Sequence, residues 1–244
     1  LKTPEEWKSF VEEREGCLLK APLSGSGKGL NWCKGTFTPF ISGWCTRVAA
    51  LQGGVIAEPI YNKVKDFALE FYSDGQGEVR FAGYSVFSTN EHGAYTGNLL
   101  ASDGQIEESI ACCLSLEKLT GIREALRAEL ASIYGNTYTG YLGVDMMVCR
   151  SDKENGYRVH PCVEINMRMN MGVVARLFYD RFVAPGSKGC FAVEYVPDNE
   201  TLRARHEQDM HDYPLTVEQG RLASGYLPLV PVTGKSCYRA YVRI

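Results

Sequence analysis

Side chains that carry oxygen or charge alternate with apolar ones in the segment PCVEINMRMNMG, residues 161–172. Read with the two-residue period of a β-strand, one face of this segment is apolar, and we expect it to be core. The other face carries Glu164, Asn166, Arg168 and Asn170. Upstream, Asp145 interrupts the otherwise apolar strand YLGVDMMVC. The polar turn SDKENG joins the two strands, so we expect an antiparallel pair that brings Asp145 beside the polar face.

Two carboxylates and an amide oxygen form a hard-oxygen set that suits Mg²⁺, with phosphate oxygens and water in the remaining positions. The sequence therefore predicts a metal site at Asp145, Glu164 and Asn166. Arg168 follows on the same face, where a guanidinium can meet a transferred phosphoryl group or an anionic intermediate. A structural Asp–Arg ion pair is the alternative, but it does not account for Glu164 and Asn166 on one face.

A second candidate site is the glycine-rich loop SGSGKG, Ser24–Gly29, which follows the apolar strand CLLKAP and its Lys20. The loop is not a Walker A motif, because Pro22 stands where the first glycine belongs and Gly29 where Ser or Thr should bind magnesium. It also lacks the third glycine of a dinucleotide-binding fingerprint. Its backbone N–H groups and Lys28 suit a polyphosphate, and a glycine hairpin without a ligand is the alternative.

The elements that must position these residues follow from periodicity and capping signals. We predict helices over 3–15, where Thr3 and Glu6 form a capping box, over 39–52, over 106–134 with a break at Gly121, and over 172–182. We predict strands over 17–22, 54–60, 141–149 and 157–169, a hairpin within 65–89, a loop over 90–104, and two strands in the last 60 residues. This order of elements indicates a layered α+β fold.

Composition excludes several classes of protein. The 244 residues are 45% hydrophobic and 23% charged with a net charge of −3, which fits one large or two small globular domains rather than a disordered chain. The sequence pI near 5.9 indicates no basic field for nucleic acid or an anionic membrane, and we expect neither as a partner. Nine cysteines without a C-x-x-C pair favour free thiols in a reducing cytoplasm.

Taken together, Lys20 before SGSGKG, the segment VIAEPIYNKVKDFAL, GVDMMV and the run EINMR resemble the ATP-grasp superfamily in order and spacing. The resemblance implies an α+β ATP-grasp fold, in which two α+β subdomains built from antiparallel sheets and packed helices clamp a nucleotide. Residues 1–60 would be the small subdomain with the glycine-rich loop. Residues 61–244 would be the large subdomain with the metal site and a C-terminal extension.

The resemblance also implies roles for individual residues. Lys20 would contact the nucleotide phosphates, and Ser24, Gly25, Ser26, Gly27 and Gly29 would close over them, with Lys28 as a catalytic cation. Glu58 would be the hinge acid near the adenine edge, Ile60 would offer backbone groups, and Asp66 would bind the ribose hydroxyls. Asp145, Glu164 and Asn166 would ligate magnesium, and Arg168 would be the catalytic arginine beside the acyl-phosphate or tetrahedral intermediate.

The implied activity is that of a ligase that uses ATP and two Mg²⁺ ions to activate a small-molecule carboxylate as an acyl-phosphate for attack by an amine or a thiol. A phosphotransferase of the same fold and a nucleotide-binding regulatory module without turnover are the alternatives. The sequence departs from the family pattern in lacking an earlier phosphate lysine and the usual N-terminal domain, and Gly143 replaces a basic residue. We therefore expect an upstream N-terminal domain or a partner subunit.

Overall fold

The structure is a computed structural model that describes residues 1–25, 28–90, 94–151 and 156–244. Ser26 and Gly27 of the predicted phosphate loop, and residues 152–155 of the predicted turn, lie outside the described residues. The chain separates into two compact units. The first contains Leu1–Asn62 and Asn90–Tyr95, and the second contains Lys63–Thr89 and Thr96–Ile244.

The first unit is a small sheet with two helices. Its elements are α1 (Pro4–Glu12), β1 (Cys17–Lys20), β2 (Leu30–Cys33), α2 (Pro39–Gln52) and β3 (Ile56–Pro59), and the strands lie in the order β2-β1-β3. The predicted capping box is confirmed, because the Thr3 side chain accepts from the backbone N–H of Glu6 while the Glu6 side chain accepts from the backbone N–H of Thr3. Trp7, Val11, Leu19, Ile41 and Val55 form its buried core with three cysteines.

The second unit is built on a large sheet. Its elements in chain order are β4 (Lys63–Asp74), β5 (Val79–Thr89), β6 (Tyr95–Leu100), α3 (Asp103–Ala111), α4 (Leu116–Tyr134), β7 (Thr139–Arg150), β8 (Tyr157–Asn166), α5 (Met171–Phe182), β9 (Gly189–Tyr195), α6 (Asn199–Asp212), β10 (Thr216–Glu218), β11 (Arg221–Ser224), β12 (Tyr226–Pro228) and β13 (Tyr238–Arg243). Eight strands lie in the order β12-β13-β9-β6-β5-β4-β7-β8. The predicted α+β class is thus confirmed.

The two faces of the large sheet differ in chemistry. On one face, Phe67, Leu69 and Phe71 of β4 and the alternate apolar residues of β7 pack under α3 and α4, forming the main core. The residues of β4 that alternate with these, among them Asp66 and Glu70, point to the opposite face because side chains alternate along a strand. Helix α5 lies against β4, β5 and β7. The polar side chains of β4 and β7 therefore share one face of the sheet.

The antiparallel pairing predicted for the two polar strands is confirmed by the register of β7 and β8. The strand predicted to continue to residue 169 is shorter, however, and β8 ends at Asn166. The predicted core face is also wrong: Ile165 is 36% exposed and Met169 is 56% exposed. The reason is topological: among the described strands β8 has β7 as its one neighbour and lies at the edge of the sheet, where alternation does not ensure burial.

Two further predictions of local structure are corrected. The segment 90–104, predicted as a loop, contains β6 in the middle of the eight-stranded sheet. The predicted helix over 106–134 does divide into two, but at residues 112–115 rather than at Gly121. Ser115 caps the second helix by accepting from the backbone N–H of Lys118, so an N-cap rather than a glycine sets the boundary.

The last 60 residues are an integral part of the second unit. Strands β9, β13 and β12 extend the large sheet, and β9 pairs antiparallel with β6. Arg239 on β13 is buried and donates to Glu194 of β9 and Asp209 of α6. Across the part of the chain that is described, no helix has both the length and the apolar composition needed to cross a bilayer.

Candidate functional site

The first candidate site is a cluster of Asp145, Glu164, Asn166 and Arg168 at the β7–β8 edge, here termed the carboxylate–amide cluster. Asp145 lies directly opposite Glu164 in the register, and Gly143 lies opposite Asn166. Side chains that face each other in an antiparallel pair have Cβ atoms about 5 Å apart. The pairing therefore brings the two predicted carboxylate ligands and the predicted amide ligand together.

Hydrogen bonds tie the cluster together. The Asn166 amide nitrogen donates to the Asp145 carboxylate at 3.0 Å, and the Asn166 amide oxygen accepts from the Arg168 guanidinium at 2.9 Å. Arg168 lies beyond the end of β8, and its backbone N–H donates to the Asn166 carbonyl at 3.0 Å. A turn, rather than the predicted strand pleat, thus brings Arg168 back to the cluster. Asn166 is buried, whereas Glu164 and Arg168 are exposed.

Electrostatics in the cluster favour a cation. Burial, and next the charge of Glu164, raise the pKa of Asp145 to about 7. A buried carboxylate whose ionised form is disfavoured by burial and by a neighbouring negative charge is stabilised when a divalent cation binds beside it. In residues 1–25, 28–90, 94–151 and 156–244, no three His, Cys, Asp or Glu side chains are grouped to hold a metal. The oxygen atoms that the cluster offers belong to two carboxylates and one amide, a combination that would suit a hard cation with water or phosphate as its further ligands.

Behind the cluster lies a buried acid–amide pair that the sequence reasoning missed. The Asn170 amide donates to Glu70 at 2.8 Å, and Asn170 also caps α5 by accepting from the backbone N–H of Val173 at 2.9 Å. Glu70 is 1% exposed, and burial raises its pKa to about 8. The sequence did contain a pattern that could have indicated this buried carboxylate. Glu70 interrupts the apolar run FALEFYSD just as Asp145 interrupts its own strand.

Two glycines make room for that carboxyl group. A Cβ atom added at Gly172 would lie 2.1 Å from one Glu70 carboxyl oxygen, and a Cβ added at Gly143 would lie 2.3 Å from the other. No side chain fits at such distances without displacing its neighbours. Gly143, where the family pattern has a basic residue, therefore serves the packing of Glu70 in this chain.

Asp66, the predicted ribose ligand, lies on the same face of β4 and already has partners. The Lys63 ammonium lies 2.5 Å from its carboxylate, and the Thr89 hydroxyl lies 3.5 Å from it. The charge of Asp66 also contributes to the raised pKa of Asp145. Lys63 is a further cation near the predicted site that the sequence reasoning did not single out.

In the first unit, the predicted phosphate lysine and the predicted hinge acid form an ion pair. The Lys20 ammonium lies 2.6 Å from the Glu58 carboxylate, and both side chains are largely buried, at 16% and 19% exposure. β1 pairs with β3 so that Leu18 is opposite Glu58, which brings Glu58 alongside Lys20. Lys20 is thus held in place by a partner in this structure rather than extended into solvent.

The glycine-rich loop joins two antiparallel strands, β1 and β2, and does not lead into a helix. Its ends are closed by the backbone N–H of Ala21, which donates to the Gly29 carbonyl at 2.9 Å. Gly29 has a φ of +71°, a conformation that favours glycine. Gly25 is half-buried, Ser24 and Lys28 are exposed, and the Ile60 side chain is 52% exposed after β3.

Comparisons with known proteins are informative only at the level of structure. No protein-family model matches the chain, and no curated protein sequence matches it significantly. The biotin carboxylase domain of Hydrogenobacter thermophilus 2-oxoglutarate carboxylase, solved with MgADP, ADP and bicarbonate, matches all of this chain with 14% identity and a TM-score of 0.54. The N5-carboxyaminoimidazole synthetase of Staphylococcus aureus, solved with ADP, matches 98% of it with 12% identity and a TM-score of 0.56.

A third match is the carboxyaminoimidazole ribonucleotide synthase of Aspergillus clavatus, solved with ATP, which covers the whole chain with 12% identity and a TM-score of 0.54. The chain spans 56%, 61% and 62% of the lengths of these three proteins. The first and third matches cover the whole chain and so include the last 60 residues, which the resemblance had assigned only to a C-terminal extension. At these identities the likeness concerns the fold, and the chain has the ATP-grasp fold.

Proposed function

We propose that this chain is the nucleotide-binding part of an ATP-dependent ligase, which activates a small-molecule carboxylate as an acyl-phosphate for attack by an amine or a thiol. The observation that carries the proposal is the carboxylate–amide cluster, in which Asp145 faces Glu164 beside Asn166 and Arg168. Three structures of the same fold that were solved with ADP or ATP support the choice of nucleotide.

Magnesium would be held by Asp145, Glu164 and Asn166, and two ions are expected from the family resemblance. When bound, Mg²⁺ offsets the negative charge of the phosphates. For Asn166 to serve as an oxygen ligand, its amide must make a half-turn, because its nitrogen now faces Asp145 and its oxygen accepts from Arg168. The same half-turn would release the Arg168 guanidinium to meet the transferred phosphoryl group or the anionic intermediate.

The remaining roles are proposed on residue position. Lys20 and Lys28 would contact phosphates, with backbone N–H groups of Ser24–Gly29 around them. Glu58 and the backbone at Ile60 would meet the adenine edge, and Asp66 the ribose hydroxyls. Residues 1–60 would then be the smaller nucleotide-binding subdomain and 61–244 the larger. The cysteines that are described are all free, in keeping with the proposed cytoplasmic location.

The chemistry needs no nucleophilic side chain. A carboxylate oxygen of the substrate attacks the γ-phosphorus of ATP, so that ADP leaves and an acyl-phosphate forms. The amine or thiol then attacks the acyl carbon, expels phosphate and loses its proton. Catalysis of phosphoryl transfer is mostly positioning and charge neutralisation, which lysines, an arginine and a metal supply.

The test is calorimetric titration with a non-hydrolysable ATP analogue, with and without Mg²⁺. We expect magnesium to tighten binding to the wild type, and the double variant Asp145→Asn/Glu164→Gln to weaken that magnesium-dependent binding by about tenfold or more. The matched control is Glu117→Gln/Glu129→Gln, two exposed carboxylates on α4, which should leave binding unchanged. Failure of the wild type to bind nucleotide in either condition contradicts the proposal.

A screen of carboxylates with amines and thiols then decides the reaction class. Release of ADP and phosphate together with an amide or thioester supports the ligase. Release of ADP without either product points to a phosphotransferase of the same fold. Tight binding without ADP release for any acceptor points to a regulatory module.

A further inference from the structure

Two adjacent thiols, Cys112 and Cys113, lie in the turn between α3 and α4. Their sulfur atoms are 3.3 Å apart, which is shorter than an ordinary van der Waals contact between two sulfur atoms. The turn that carries them is held by backbone bonds, since the N–H groups of Cys113 and Leu114 both donate to the Ile110 carbonyl, at 2.9 and 3.0 Å. The backbone conformation of this turn therefore holds the two thiols next to each other.

The two sulfurs differ in their surroundings. Cys112 is exposed, and its thiol faces the Ser109 carbonyl at 3.6 Å. Cys113 is half-buried and packs against the main core. Burial raises the pKa of Cys113, and the nearby Lys65 ammonium, which donates to the Ser109 carbonyl, works against that rise. One sulfur is thus accessible to a solute, while the other is shielded and within reach of the first.

We propose that Cys112 and Cys113 form a site of reversible oxidation by hydroperoxides, with Cys112 as the attacking thiol and Cys113 as the resolving thiol. The Cys112 thiolate attacks the terminal oxygen of the O–O bond, which gives a sulfenic acid and releases water or an alcohol. The Cys113 sulfur then attacks the sulfenic sulfur, and water leaves as the disulfide forms. In balance, two thiols lose two hydrogen atoms and one hydroperoxide is reduced to an alcohol and water.

Reversibility follows from the ring size. A disulfide between neighbours closes an eight-membered ring across Cα atoms about 3.8 Å apart, shorter than the usual span in disulfides. Strained and exposed disulfides are the readily reduced ones. The product should therefore return to two thiols on exposure to glutathione or dithiothreitol.

Other cysteines supply contrasts within the same chain. Cys17, Cys33 and Cys45 are buried in the first unit, and burial raises the pKa of Cys33 to about 12 and that of Cys45 to about 11, so their thiols should not react. Cys162 and Cys237 are exposed, and neither has a cysteine next to it in the sequence.

The test is peptide mass spectrometry after treatment of the full chain with hydrogen peroxide and alkylation of the remaining thiols. Trypsin cleavage after Arg80 and Lys118 gives a peptide, residues 81–118, whose only cysteines are Cys112 and Cys113. We expect this peptide to lose two hydrogen atoms in the wild type and in the control Cys162→Ser/Cys237→Ser, and to regain them with glutathione.

Single substitutions separate the two roles. Cys112→Ser should show neither a disulfide nor a sulfenic acid at residue 113, whereas Cys113→Ser should leave a Cys112 sulfenic acid that dimedone captures. Two alkylated cysteines in the wild-type 81–118 peptide after peroxide would overturn the proposal. So would a disulfide that instead links the separate peptides carrying Cys17 and Cys33. Neither outcome depends on nucleotide binding, so the result stands apart from the proposed function.

Discussion

At the residue scale, Glu70 is a buried carboxyl group in the large sheet of the second unit. It is buried in the middle of a sheet, its partner is the Asn170 amide, and two glycines leave space for its carboxyl group. A buried carboxyl with a pKa of about 8 is protonated at neutral pH and can serve as a neutral hydrogen-bonding group. Its place next to Asn170 means that it supports the segment between Asn166 and α5, which carries Arg168.

Glu70→Gln should change how stability depends on pH. The pKa of Glu70 is raised from 4.5 to about 8, so the folded state binds this proton more tightly than the unfolded state between those values. The free energy of unfolding of the wild type should therefore fall, relative to that of Glu70→Gln, as pH rises from 5 to 8, by up to about 1.4 kcal/mol per pH unit. Urea denaturation of both proteins at several pH values measures this difference. If the free energies of unfolding of the two proteins change with pH in parallel, the prediction is contradicted.

At the element scale, α5 is the helix that closes the polar face of the sheet. It begins at Met171 directly after its cap, Asn170, and its second residue is Gly172. Helix α5 can approach β4 and β5 because Gly172 has no Cβ to meet the Glu70 carboxyl and the Ser85 hydroxyl. Glycine is a poor helix former, so its use at this position reflects packing rather than helix propensity.

Gly172→Ala should destabilise the protein by about 1–3 kcal/mol, because the new methyl group must displace the Glu70 carboxyl. The matched control is Gly121→Ala in α4, where a Cβ would meet no atom within 4 Å. That substitution should stabilise the protein by about 0.5–1 kcal/mol through helix propensity alone. Thermal and urea unfolding measure both changes, and equal effects of the two alanines would show that Gly172 is not a packing glycine.

At the scale of the whole molecule, the last 60 residues contribute strands β9, β12 and β13 to the large sheet and are not a separate appendage. β9 covers the edge of β6, and β13 covers β9. Phe191 and Val242 in these strands are buried, as is the Arg239 guanidinium between Glu194 and Asp209. Without these strands, β6 would expose an unpaired edge, which in natural sheets promotes aggregation.

Deletion of residues 184–244 should therefore abolish cooperative unfolding of the second unit, rather than lower its stability slightly. Circular dichroism during urea titration measures cooperativity, and size-exclusion chromatography detects aggregation. The milder control is Arg239→Met, which removes one partner of a buried ion cluster and should give a destabilised but folded protein. A truncated chain that unfolds cooperatively at the wild-type midpoint would show that β9, β12 and β13 are not needed for the stability of the second unit.

The sequence by itself determined the features whose causes are local. The capping box at Thr3 and Glu6, the two first-unit helices, the β4–β5 hairpin and the antiparallel pair carrying Asp145 and Glu164 follow from periodicity, capping and a short polar connection. The α+β class also follows, and the resemblance to the ATP-grasp superfamily implied the fold, because the order of motifs reflects the order of elements. The members of the carboxylate–amide cluster could be identified from the sequence for the same reason.

Only the tertiary structure decided which partners these residues have. Glu70 accepts a hydrogen bond from Asn170, 100 residues away in sequence. Lys20 forms an ion pair with Glu58 on the neighbouring strand. The alternation of β8 predicts a buried apolar face equally well for an edge strand and a central one, so the exposure of Ile165 depends on strand order. Such contacts arise from long-range packing, which the local pattern of a sequence does not encode.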